Sequence, residues 1–230
     1  MIPLRDPSPT RRQAIVTPAL IAVCFAVFGY ELFVVSTGGN QALEDLARAW
    51  GFVPASLVHA LKAGSWLSQP VFAVFTSMFL HGGWAHILGN MLFLWIFGGR
   101  VEDRLGRIGF LAFYLLGGIA AAAGQALESP ASVDPVIGAS GAISAVLGAY
   151  LVLYPRSRIQ SLVFLGFFYQ LLAVPAYALL AYWFALQVID GIAALGGTDL
   201  TGGVAVFAHI AGFLAGALLA LPLRLRRSVG

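Results

Sequence analysis

The sequence predicts an all-α membrane protein: one bundle of six transmembrane helices with the N- and C-termini both cytoplasmic. Three observations lead there. Of its 230 residues 60% are hydrophobic and 10% charged, against about 25% charged in soluble domains. Six apolar runs are long enough to approach the roughly 20 residues that a helical span needs. Finally, the basic residues divide unequally between the two sides that six spans would create. Arg5, Arg11, Arg12, Arg100, Arg104, Arg107, Arg156, Arg158, Arg224, Arg226 and Arg227 fall on the side of the termini, while Arg48 and Lys62 fall on the other. Lys and Arg are enriched in cytoplasmic segments, which orients the bundle.

The expected spans are Ala14–Val35, Trp84–Gly98, Ile108–Leu127, Val136–Tyr154, Leu172–Ile192 and Val204–Leu221. Residues 1–13 and 223–230 are then cytoplasmic tails flanking a membrane domain, 14–222. The first apolar run follows Arg11 and Arg12 as a secretory signal would, but continues to Val35 without a small-residue cleavage site, so it reads as a span. The long outer segment 36–80 contains "QALEDLARAW" and "PASLVHALKAG", with apolar residues at helical spacing. It reads equally as helices lying at the interface and as a solvated loop.

This organisation leaves no room for a separate soluble domain. The arginines beside the spans serve topology, so no nucleic-acid partner is expected; the partner is the bilayer of the cell membrane. Cys24, the single cysteine, excludes an intrachain disulfide and reads as packing.

Polar residues within spans are costly and by default mark function. Ser140 stands in "GASG", where Gly138 and Gly141 flank it and Gly141, Ala145 and Gly148 recur at the small-xxx-small spacing of close helix contacts. By itself Ser140 reads as part of that packing face. His209 shares a helix face with Gly212 and Gly216, three and seven residues on. His86 and Asn90 lie four apart on one face of the second span. His81, five residues before His86, falls about 140° away around an ideal helix and is expected to face elsewhere. His59, in the outer segment, reads as a surface histidine. Spans two, four and six all run inward, and His86, Asn90, Ser140 and His209 each lie near the start of their span. A 1.5 Å rise per residue puts them roughly 3 to 10 Å below the outer boundary. Packing explains each residue singly but not their common depth.

Serine needs a base to become nucleophilic, and histidine is the usual one. Ser140 and His209 suit nucleophile and general base. The Ser140 backbone N–H with the His86 and Asn90 side chains would supply donors to an oxyanion. No acid lies at that depth in the same spans; Asp134, Asp190 and Asp199 sit in loops or at span ends, so a Ser-His dyad is expected rather than a triad. No metal or other cofactor is expected, because H-E-x-x-H and paired cysteines are absent.

With these residues assembled, the sequence resembles the rhomboid family of intramembrane serine proteases, in its six-helix bacterial form. The likeness rests on "HGGWAHILGN", "GASG", "YWFALQ" and "AHIAGFLAG", in that order. It implies Ser140 and His209 as catalytic groups, His86 and Asn90 at the oxyanion site, and a membrane-embedded first outer loop. It further implies a fifth helix, with Trp183 and Phe184, that governs lateral substrate access, and substrates that are single transmembrane segments cut near the outer surface. Two departures stand out. The first loop has "SWLSQP" in place of a Trp-Arg pair, and Ser144 occupies a position where some relatives carry a tyrosine against the histidine ring. A non-cleaving relative that escorts membrane clients, and a small transporter, are the competing readings. The first is disfavoured by the presence of both serine and histidine, the second by the lack of midplane charges or broken repeats.

Overall fold

The computed structural model describes residues 1–165, 168–195 and 205–225. The chain begins with a short strand, β1 (Ile2–Arg5), followed by α1 (Val16–Trp50), α2 (Pro54–Lys62) and α3 (Gln69–Thr76). A 3-10 turn, Ser77–Phe79, leads into α4 (Trp84–Leu105), α5 (Arg107–Glu128) and α6 (Ser140–Leu153). A hairpin of β2 (Arg158–Leu165) and β3 (Phe168–Pro175) then precedes α7 (Ala176–Leu195) and α8 (Val206–Leu225).

Among the described residues four helices, α1, α5, α7 and α8, are long and apolar enough to cross a membrane. The stretch Gln69–Phe79 joined to α4 forms a fifth candidate, bent by 81°. The fourth expected span is shorter than its apolar run. Val136 pairs with Phe52 in an antiparallel bridge, and Gly138 has φ +123°, so the helix starts only at Ser140. The 14 residues of α6 reach about 21 Å, less than the roughly 30 Å of a hydrocarbon core. Its surroundings explain the shortfall: every residue from Gly141 to Tyr150 is buried. A helix wrapped by protein need not match the thickness of lipid.

The remaining boundaries shift for local reasons. The C-terminal part of α1 holds "QALEDLARAW", and Gly39, at φ +71°, breaks the helix just before it. This conformation costs glycine little because it lacks a Cβ. "PASLVHALK" forms α2, so this part of the outer segment is helical. The fifth helix starts at Ala176 instead of Leu172, because Leu172–Pro175 belongs to β3. That strand pairs in register with β2, from Arg158 opposite Pro175 to Leu165 opposite Phe168, and β1 adds antiparallel to β2. Periodicity does not separate a short apolar run in a strand from one in a helix. Val204, expected to open the sixth span, lies outside the described residues, as do Asp199, Arg226 and Arg227.

Two buried carboxylates anchor this scaffold. Glu102, 2% exposed near the end of α4, accepts the backbone N–H groups of Ile15, Val16 and Thr17 at 2.7, 2.9 and 2.8 Å, and the Thr17 hydroxyl at 2.8 Å. The first N–H groups of a helix have no intrahelical partner, and an anion there also complements the helix dipole. Glu102 therefore caps α1 from another helix. Glu102→Ala is expected to lower stability by about 3 kcal/mol, from hydrogen bonds to a charged group lost together with orphaned donors; a thermal melt of the purified protein in detergent reads this as a lower Tm.

Glu31, on α1, accepts the backbone N–H of His81 at 2.9 Å and so tethers the loop that opens α4. Close to the opposite end of α6, Arg100 donates to Asp6 at 3.3 Å and to the Ser157 hydroxyl at 2.6 Å, and stacks 4.0 Å over the Tyr154 ring. Asp6 in turn accepts from the Tyr150 hydroxyl.

Candidate active site

The site forms where the N-terminal ends of α4, α6 and α8 converge. Glycine makes this approach possible. A Cβ on Gly212 would fall on the carbonyl oxygen of Gly141, and one on Gly216 on that of Ala145. A Cβ on Gly148 would collide with the Phe213 carbonyl, and one on Gly141 would lie 2.6 Å from Ala121 Cβ. Backbone therefore touches backbone along the α6 to α8 seam, as the small-residue spacing anticipated.

That seam brings Ser140, the first residue of α6, against His209, in the first turn of α8. The Ser140 Oγ lies 2.7 Å from His209 Nε2, and His209 is 9% exposed. On the far side of the ring, Nδ1 is 2.6 Å from Gln187 Oε1, on α7. An amide oxygen only accepts, so Nδ1 carries the proton and Nε2 presents its lone pair to the serine hydroxyl. The Trp183 ring lies 6.1 Å from the imidazole, and Trp183 and Phe184 both pack on Phe213 of α8. Ser144, where a tyrosine would have stacked on the histidine, bonds back to the Ser140 carbonyl at 2.7 Å. Trp183 and Gln187 hold the ring instead.

His86 and Asn90 face the same space. The Gly82 N–H donates to His86 Nδ1 at 3.4 Å, which leaves the ring proton on Nε2. That atom lies beside Gly138: a Cβ built there would be 2.5 Å from Nε2 and 3.6 Å from Ser140 Oγ. Asn90 is 8% exposed, and its Nδ2 is buried without a hydrogen-bond partner. Such a group is costly unless something arrives to accept from it. Ser140, His209, His86, Asn90, Trp183 and Gln187 line one cavity of 610 Å³.

His81 is absent from the lining of that cavity, in line with the expectation that it faces elsewhere, though not for reasons of helical spacing. It precedes α4 instead of lying on it, is fully buried, and sets its ring edge-on to His86 at 5.2 Å. Its Nδ1 donates to the Phe79 carbonyl at 3.1 Å. His59 is exposed on α2. Among the described residues no three of His, Cys, Asp and Glu are grouped as metal ligands.

The outer segment shapes the approach to Ser140. Phe52 exchanges backbone hydrogen bonds with Val136 at 3.0 and 2.7 Å, and the Gly138 N–H donates to the Ser77 carbonyl at 2.9 Å. These bonds hold the extended stretch before Ser140 and locate the loop that lacks a Trp-Arg pair. Two contributors were given no role by the sequence reading, Gln187, the last residue of "YWFALQ", and Glu31. Each is a polar residue in an apolar run, a signal as strong in kind as those that singled out His209 and Asn90.

Comparison with known proteins places the chain in a family. A family model described as Rhomboid domain matches residues 68–226. The rhomboid protease GluP of Bacillus subtilis is 32% identical over 190 residues, which cover 83% of this chain and 32% of that protein. Rhomboid protein 1, mitochondrial, of Saccharomyces cerevisiae is 30% identical over 150 residues, 64% of this chain and 38% of the relative. Rhomboid-like protease 5 of Toxoplasma gondii is 32% identical over 152 residues, 64% and 16%. The chain thus spans about a third of the length of the first two relatives. With the family match running from the outer segment through α8, the chain belongs to the rhomboid family.

Proposed function

We propose that this protein is an intramembrane serine endopeptidase that hydrolyses peptide bonds in or near transmembrane segments of membrane-protein substrates, using a Ser140-His209 dyad close to the extracytoplasmic face. The observation that carries the reading is the 2.7 Å contact between Ser140 Oγ and His209 Nε2 in a cavity that also holds the unpartnered Nδ2 of Asn90. In this mechanism the hydroxyl proton passes to Nε2 as Oγ bonds to the substrate carbonyl carbon. The resulting oxyanion accepts from the His86 Nε2–H, the Asn90 amide and the Ser140 backbone N–H. Collapse of the intermediate breaks the C–N bond, and the imidazolium returns its proton to the leaving amine. Water then attacks the acyl ester with His209 again as base, releasing the carboxylic acid and restoring Ser140.

The proposed setting is a six-span domain of residues 14–222 in the cell membrane with cytoplasmic tails, as the distribution of arginine favours. In that orientation the cavity opens toward the extracytoplasmic side, from which water would reach it. The sparse burial of α7, with Trp183 lining the cavity, supports Trp183 and Phe184 as the place where a substrate segment arrives from lipid. Gly138, Gly141, Gly148, Gly212 and Gly216 serve the close packing around the dyad.

The test is covalent labelling of the purified protein with a fluorophosphonate, followed by cleavage of a model transmembrane substrate. Labelling is expected in the native protein and absent in Ser140→Ala; labelling that persists in Ser140→Ala overturns the reading. His86→Ala and Asn90→Ala are each expected to lower kcat by about 10²-fold to 10³-fold, the usual cost of one oxyanion donor. Measurement of kcat with KM on the same substrate checks this, since such a donor acts on the transition state and leaves KM nearly unchanged.

A further inference from the structure

We infer that Gln187 is the positioning residue of the dyad: its amide oxygen holds the Nδ1–H of His209, and through it α7 governs the tautomer and orientation of the base. This rests on the dyad proposed above and adds a third member, an amide where an acid is the usual orienting group.

The geometry is specific. Oε1 lies 2.6 Å from Nδ1, on the opposite side of the ring from the 2.7 Å contact to Ser140. Among the described residues Gln187 is the one acceptor at Nδ1. Without it, a neutral imidazole in a buried site has no reason to keep its proton on Nδ1, and the other tautomer presents N–H to the serine and cannot accept its proton. The bond also fixes rotation of the ring, which Trp183 flanks at 6.1 Å. Trp183, Gln187 and Gly191 recur every four residues, so they share one face of α7. That face packs on α8, where a Cβ on Gly191 would be in ordinary contact with Ile210 and Phe207.

An amide suits this place better than a carboxylate. It orients the ring without placing a permanent charge within a largely apolar span, where unpaired charge is expensive. The consequence is a dependence that a Ser-His pair alone would lack. The four buried residues of α7 are Ala176, Leu179, Leu180 and Gly191, so the helix that holds the base in register is lightly embedded. A displacement of α7 away from α8 releases the imidazole.

The experiment compares the native protein with Gln187→Leu and Gln187→Glu in detergent, measuring kcat, KM, the fluorophosphonate labelling rate and the pH profile of kcat. Gln187→Leu keeps the bulk of the side chain and removes the acceptor. It is expected to lower kcat and the labelling rate together by about ten-fold to a hundred-fold, with KM little changed, since an orienting group acts through the base. Gln187→Glu restores an acceptor and adds charge. It is expected to recover most of the lost labelling rate and to move the acid limb of the profile upward by about one pH unit, because a neighbouring carboxylate favours imidazolium. His86 is the other ionisable ring lining the cavity; the same profile in His86→Gln keeps the limb assigned to His209.

Native kcat in Gln187→Leu overturns the inference, and so does an acid limb that stays in place in Gln187→Glu. If Gln187→Leu does not fold, the limb in Gln187→Glu decides alone. Failure of the protease reading looks different: the native protein itself then shows no labelling that depends on Ser140.

Discussion

Replacing His209 by alanine is expected to lower cleavage of a transmembrane substrate by about 10⁴-fold or more, and Ser140→Ala by a similar amount. The reason is geometric. In the proposed mechanism Oγ and Nε2, 2.7 Å apart, act as one unit, because the hydroxyl is a poor nucleophile unless the imidazole takes its proton. The double variant should therefore be no slower than either single one, and kcat/KM for the four proteins makes the comparison. Losses that multiply in the double variant would mean that the two groups act independently, contrary to the mechanism. Residual cleavage in the single variants, where measurable, is assigned to the oxyanion donors.

The second large effect is expected far from any chemically reactive atom. Gly216→Ala adds one methyl group, yet that methyl falls on the carbonyl oxygen of Ala145 and 2.5 Å from its Cα. Two backbones cannot yield as a flexible side chain would, so α6 and α8 must separate. Overpacking of this kind costs about 1 to 3 kcal/mol, and a displacement of about 1 Å at a catalytic pair lowers the rate by about 10²-fold. Gly216→Ala is thus expected to lose about 10²-fold in kcat and several degrees in Tm, while Gly99→Ala, whose added Cβ would sit 3.6 Å from Ala14 Cβ, should change neither appreciably. Equal activity in Gly216→Ala and the native protein would show that the seam has slack that the backbone contacts do not suggest.

Much of the site was legible because membrane insertion penalises polar groups. His209, Asn90, His86 and Ser140 stand out in apolar runs, and a polar residue retained there needs a reason. The small residues of "GASGAISAVLGAY" and "AHIAGFLAG" likewise mark a close helix contact, since only small side chains allow one. The same criterion applied to every span would have drawn out Gln187 and Glu31. Their roles were not legible because the usual orienting group is an acid beside the dyad, whereas the chain uses an amide on α7, and Glu31 binds a backbone N–H instead of the histidine ring. The hairpin of β2 and β3 was illegible for another reason: "FYQLLAVP" is apolar at all but one position, and "RIQSLVFL" ends in four apolar residues in a row. Such runs suit a strand, a buried helix or the approach to a span equally.

By itself the sequence determined that the chain is a membrane protein, roughly where its spans run, and which polar side chains have to be accommodated. These follow from the free energy of moving each side chain and peptide group out of water, a property of short stretches taken one at a time. The tertiary structure decided which of those side chains meet. Ser140 and His209 are 69 residues apart and Gln187 and His209 22 apart, and neither separation encodes a contact. The tautomer of His209, the shortness of α6 and the tether of the loop before Ser140 likewise depend on distances between elements. Those distances are set by how closely whole backbones pack, which no single stretch of the chain contains.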